Sequence, residues 1–198
     1  MEIKIKDMLV FLNSYRLVPT WLIVNSCKNA SLIQEDMRRW KKLMQINRYG
    51  IIGFGWLLMY KEYRNLLYNR VKAFNPYMGA FVKLLWPLMD TLYINTYQIG
   101  GGLFIQHGFS TIISAESIGE NCQINQQVTI GYEGKGRPII GNNVRICAGA
   151  IIIGNIVIGD NVVVGANAVV VKDVPPDVTV GGVPAKVIRN HSLDLDNN

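Results

Sequence analysis

The sequence predicts a mainly β chain, a triangular β-solenoid preceded by an α-helical N-terminal region, on two observations. From Ile99 to about Val174 an aliphatic residue recurs every six positions, whereas the residues before it recur at helical spacing. One series runs through Ile112, Ile118, Ile124 and Ile130; a second runs through Ile140, Ile146, Ile152, Ile158, Val164 and Val170. A period of six fits neither a helix nor plain strand alternation. A chain that turns a corner every six residues closes a triangle in three steps, and each aliphatic side chain then stacks on its counterpart one coil away. The fifth position of each hexad also points inward and is small or β-branched, as at Val128, Val144, Ala150, Ile156, Val162 and Ala168. Gly119, Gly131, Gly141, Gly159 and Gly165 follow the aliphatic residue and are expected where a corner needs backbone angles that a β-carbon obstructs. At roughly 1.5 to 3 kcal/mol per fully buried aliphatic side chain, such a stack offsets its ordering entropy without disulfide or metal.

Taken in order, the chain reads as a helical region over residues 1–95, a solenoid over 96–190 and a polar tail over 191–198. Residues 1–28 carry an apolar run broken by Pro19 and receive little assignment. Ser31 with Gln34 reads as a capping box that starts a helix reaching Met44. A second helix is predicted over Ile51–Phe74, ended by Asn75-Pro76, and a third over Met78–Tyr93 with Trp86 and Pro87 inside it. No apolar run is long enough to span a bilayer. Between Ile130 and Ile140 the step is ten residues, so an excursion carrying Tyr132, Glu133, Lys135 and Arg137 must leave the coil. The step from Ile105 to Ile112 is seven and makes room around His107. Pro175-Pro176 ends the repeat, and Asp194–Asn198 reads as disordered.

Charge is unevenly spread. Residues 1–98 hold 14 Lys and Arg against 6 Asp and Glu, whereas 99–198 hold 6 against 8. A basic helical segment can face anionic lipid or a phosphorylated ligand, although solvated helix faces are the commoner cause. Cys27, Cys122 and Cys147 show neither paired nor metal-ligand spacing and read as reduced thiols of a cytoplasmic protein, with Cys122 on an inward position. The N-terminus lacks the layout of a signal peptide.

Several ordered segments resemble one family. They are Ile99-Gly100-Gly101-Gly102-Leu103-Phe104-Ile105-Gln106-His107-Gly108, Val128-Thr129-Ile130-Gly131, Ala148-Gly149-Ala150, Val164-Gly165-Ala166-Asn167-Ala168 and Gly182-Val183-Pro184-Ala185-Lys186. Over residues 95 to 190 these resemble the hexapeptide-repeat acyltransferases with a left-handed parallel β-helix, and within them the serine acetyltransferases. The resemblance implies left-handed winding, acetyl-CoA as co-substrate, no metal, a homotrimer with sites at subunit interfaces, and transfer of acetyl to a hydroxyl such as that of L-serine. It also implies that His107 is the general base, since imidazole titrates near neutrality and His191 lies in the tail. By the same resemblance Ala148, Gly149, Ala166 and Asn167 line a groove for the pantetheine arm, and Lys172 and Lys186 meet the CoA phosphates. The family orients its histidine with an aspartate where this chain has Leu92, leaving Asp90, Asn95 or Glu116 as substitutes, and it carries a second histidine where this chain has Arg137. Those four residues are therefore the acceptor-side candidates, and a sugar or lipid-linked saccharide is the alternative acceptor. A non-catalytic scaffold and a three-histidine zinc enzyme are rival readings, the latter disfavoured by a chain with two histidines. A nucleic-acid partner is not expected; peripheral membrane contact through the helices is the remaining partner reading.

Overall fold

A computed structural model describes residues 2–134 and 136–191, with side chains from Ile5 onward. Asp194–Asn198 and Lys135 lie outside the described residues. The chain divides into two compact units, Met1–Met89 and Asp90–Asn198.

The first unit contains α1 (Glu2–Leu12), α2 (Ser14–Ser26), α3 (Ala30–Leu43), α4 (Gly50–Leu57), α5 (Lys61–Phe74) and α6 (Pro76–Leu85). In α3 the buried residues Ile33, Met37 and Trp40 fall at one-turn intervals, so a single stripe faces the core. There Trp40 meets Tyr63 edge-on at 5.3 Å, and Phe54 meets Tyr63 at 6.5 Å. Asp36 and Arg70 form a buried fork, with Nε to Oδ2 at 2.9 Å and Nη2 to Oδ1 at 3.2 Å.

The helix boundaries differ from those predicted. Asn29 caps α3 without a side-chain bond, and Ser31 lies inside the helix, so no capping box forms. The predicted helix over Ile51–Phe74 is two helices. Residues 58–60 leave the helix, and the Arg64 guanidinium donates to the Leu58 carbonyl, a group that the end of α4 would otherwise leave unpaired. Asn75 stops α5 and also starts α6, accepting from the Tyr77 and Met78 amides at 2.9 and 3.1 Å with Pro76 in the first turn. Helix α6 ends at Leu85, eight residues short of Tyr93, because Pro87 disfavours the helical backbone at Trp86. The stretch 1–28, little assigned from sequence, contains α1 and α2, with Pro19 inside the second. No described helix is long and apolar enough to cross a membrane.

The second unit is a parallel β-helix of triangular section. One sheet stacks Leu92–Ile94, Thr111–Ile113, Thr129–Gly131, Ile151–Ile153 and Val169–Val170. A second stacks Gln98–Ile99, Ser117–Ile118, Ile139–Ile140 and Val157–Ile158. The third stacks Phe104–Ile105, Gln123–Ile124, Arg145–Ile146, Val163–Val164 and Val178–Gly181, and Lys186–Asn190 closes it by pairing antiparallel. The predicted columns form in register: Ile118 on Ile140 on Ile158, Ile124 on Ile146 on Val164, and Ile130 on Ile152 on Val170. All of these residues are buried, as are Cys122 and the fifth-position residues. The three cysteines are free.

Two details of the repeat are corrected. Ile112 faces outward at 45% exposure, and Thr111 and Ile113 point inward instead. The true step is therefore Ile105 to Ile113, and the loop holding His107 is one residue longer than the sequence suggested. The glycines after the aliphatic residues are also not there for unusual backbone angles. At Gly119, Gly141 and Gly159 a β-carbon would come within 2.4–2.5 Å of the next coil, so these positions need close approach between coils. The left-handed backbone falls two residues later, at Asn121, Asn143, Asn161 and Asp177 with φ of 55–61°. Their side chains link successive coils: the Asn143 amide donates to Asn161 Oδ1 at 3.1 Å, and the Asn161 amide to Asp177 Oδ1 at 2.8 Å.

Candidate active site

His107 sits in the loop from Gln106 to Ser110, which leads from the third sheet into the first. Its φ is +53°, its side chain is exposed, and its carbonyl accepts from the Phe109 amide at 2.8 Å. This compact turn points the imidazole outward, with no hydrogen-bond partner for it among the described residues. The loop begins a single corner edge that continues coil by coil through backbone bonds. The Gln127 amide donates to Phe109, the Gly149 amide to Gln126, the Asn167 amide to Ala148 and the Val169 amide to Gly182, at 3.0–3.1 Å. At about 4.8 Å per coil, His107 and Asn167 are roughly 14 Å apart along this edge.

The edge thus brings together His107 and four of the donor-side candidates. Ala148, Gly149, Ala166 and Asn167 present small side chains or backbone along it. Gly149 has φ +71°, a backbone that strains other residues, and a β-carbon there would also displace the Asn167 side chain, whose Oδ1 would lie 2.1 Å away. Lys186 lies further along this edge, opposite Gly181, whereas Lys172 follows Val169–Val170 at the other margin of the first sheet; both line a cleft of about 260 Å³ with Asp173, Pro175 and Pro184. Asp173 Oδ1 accepts from the Val157 amide at 2.8 Å. The lysines therefore stand beside a carboxylate already engaged with the backbone.

The acceptor-side candidates divide. Asp90 precedes the first strand on the His107 edge, where the Thr111 amide donates to Thr91 at 3.0 Å, and it is exposed. Asn95, Glu116 and Arg137 gather at the opposite margin of the first sheet. Arg137 Nη1 donates to the Asn95 carbonyl at 3.2 Å, and the Glu116 amide donates to Pro138 at 2.9 Å. One strand width, about 16 Å from Ser110 to Ala115 at 3.3 Å per residue, separates that group from His107 within one chain.

Gln126 was not named from sequence. It lies on the edge between the His107 loop and Gly149, and its Oε1 is buried without a hydrogen-bond partner. A buried acceptor left open beside a groove suits an incoming N–H donor. Its only sequence signal is a polar pair, Gln126-Gln127, just before an inward valine.

Comparison with known proteins places this geometry in context. The bacterial transferase hexapeptide (six repeats) family matches residues 137–172. The serine acetyltransferase of Synechococcus elongatus is 44% identical over 104 residues, 50% of this chain and 43% of that protein. The matched stretch therefore spans less than half of that relative. Among solved structures, the serine acetyltransferase of Neisseria gonorrhoeae in complex with serine superposes with a TM-score of 0.62 at 26% identity, covering 81% of this chain and 69% of that one. A serine acetyltransferase in complex with CoA gives 0.62 and 26%, covering 81% and 71%. A parallel β-solenoid preceded by helices is the fold of this chain, and its repeat region is similar to serine acetyltransferases.

Proposed function

We propose that the solenoid unit transfers an acetyl group from acetyl-CoA to the hydroxyl of L-serine, with His107 as general base. The observation that carries this reading is the single edge shared by an exposed, unpartnered imidazole and a groove of small residues beginning at Gly149. The likeness to serine acetyltransferases solved with serine and with CoA supports both substrates.

In the reaction, His107 accepts the hydroxyl proton as the oxygen forms its bond to the thioester carbonyl. The C–S bond then breaks, and the imidazolium returns the proton to the leaving thiolate. The pantetheine arm lies along Ala148, Gly149, Ala166 and Asn167, and the open Gln126 Oε1 accepts from one of its amides. Lys172 and Lys186 meet the phosphates. Asp90 shares the edge of His107, and we assign it the part of the carboxylate that orients the imidazole once the substrates are bound. Arg137, Asn95 and Glu116 are too far from His107 in the same chain, so we assign them to the site of a neighbouring subunit in a homotrimer, where the guanidinium holds the serine carboxylate.

The test is thiol release from acetyl-CoA across a panel of serine, amino sugars and glycans. We expect release with serine, and a fall in kcat of about 10² to 10⁴-fold in His107→Ala. A sugar preference would replace serine as acceptor. Absence of turnover together with absence of a thermal shift from acetyl-CoA would leave a scaffold.

A further inference from the structure

The helical unit holds a cleft of about 290 Å³ with apolar walls from Leu9, Leu17, Met59 and Trp86, and with two guanidinium groups, Arg16 and Arg64, in its lining. No carboxylate among the described residues lines it. Elsewhere in the unit Asp7 pairs with Arg48 at 2.9 Å, and Asp36 with Arg70 at 2.9 Å. Arg16 stacks over the exposed Tyr15 ring at 5.1 Å and has no ion pair or side-chain hydrogen bond among the described residues.

Arg64 is held in place. Its Nε and Nη1 donate to the carbonyls of Leu58 and Pro87, and its guanidinium lies 5.4 Å from the Trp86 ring centre. Trp86 is pinned in turn, because its Nε1 donates to Thr20 Oγ1 at 2.9 Å, and Thr20 donates to the Arg16 carbonyl at 2.7 Å. Nη2 of Arg64 has no hydrogen-bond partner among the described residues. Burial first, and the facing Arg16 charge second, hold Arg64 below the ordinary guanidinium value. Two like charges brought together beside apolar walls repel each other, and an anion between them converts that repulsion into attraction.

We propose that this cleft binds an amphipathic anion, a carboxylate or phosphate monoester whose head bridges Arg16 and Arg64 and whose tail lies on Leu9, Leu17, Met59 and Trp86. Pre-set Arg64 offers its Nη2 to the head, Arg16 supplies the second charge, and the apolar wall favours anions that carry a chain over small inorganic ones.

The test uses the full chain and calorimetric titration with octanoate and octyl phosphate, against octanol and inorganic phosphate as probes lacking the charge or the tail. Both amphiphiles should bind more tightly than either control. Arg16→Glu should weaken them by about 10- to 100-fold, as expected for a lost charge-assisted hydrogen bond, while Arg16→Lys retains part of the binding. Arg64→Ala removes two internal bonds and can unfold the unit, so Arg16 carries the test, with circular dichroism confirming the fold. Flotation with phosphatidylglycerol vesicles separates the sources. Binding of vesicles as well as octanoate, both lost in Arg16→Glu, supports the proposal with a lipid headgroup as occupant. Binding of octanoate alone supports it with a free amphiphile. Octanol or phosphate matching the amphiphiles, or Arg16→Glu binding them like the parent, overturns it.

Discussion

At the scale of single residues, the solenoid depends on a division of labour between glycine and asparagine. Glycine supplies thinness where coils nearly touch, and asparagine supplies the left-handed turn. The sequence showed that glycines follow the aliphatic residues but not why, since crowding depends on the neighbouring coil rather than on local spacing. The asparagines two positions later carried the conformational burden unannounced. Asn161 tests this, with φ at +58° and side-chain bonds to the coils on either side. Asn161→Ala loses both the bonds and a residue tolerant of this backbone, about 1–2 kcal/mol for the backbone alone. Asn161→Gly loses the bonds but relieves the backbone. Urea midpoints should therefore rank parent, then glycine, then alanine.

The elements were unequally legible. A column of aliphatic residues at fixed spacing can be satisfied by few folds, so the strands from Ser117 onward fell where the period put them. Helix ends were less readable because they are decided by partners distant in sequence. The break after Leu57 is held by Arg64, and α1 is anchored by Asp7, which accepts from Arg48 Nη2 at 2.9 Å and Trp56 Nε1 at 2.8 Å. The Arg48 hydrogen bond, then the Trp56 one, hold the Asp7 carboxyl below its ordinary 3.8. A depressed folded-state pKa means the contribution is complete above the unfolded value and is lost as pH falls through the folded one. Asp7→Asn should therefore lower the melting temperature at about pH 6, and the gap to the parent should narrow by about pH 3. A gap that stayed constant with pH would assign Asp7 a role independent of its charge.

For the whole molecule, the site candidates divide into an edge with the base and an opposite margin with Arg137, and no feature of the sequence alone could show that separation. Position along the chain says which coil a residue occupies; the corner depends on register, which shifted by one at Ile112. If neighbouring subunits complete each site, two inactive variants should rescue each other. Mixing refolded His107→Ala and Arg137→Ala chains in equal amounts should restore up to about a quarter of parental activity, the fraction of interfaces with both groups intact in a closed ring. Each variant alone should stay inactive, and a mixture no better than its components would place both groups in one chain's site.

The antiparallel strand Lys186–Asn190 has a consequence of its own. A stack of parallel coils is an open-ended template, since its last strand offers the same unpaired amides and carbonyls that recruited it. By reversing direction, this strand occupies the exposed edge of Val178–Gly181 with a partner on which no further coil can continue in register. Its outward row carries Lys186 and Arg189, charges that repel a like edge approaching from another molecule. The strand thus closes this edge of the third sheet to further parallel pairing, which the last strands of the other two sheets leave to their side chains.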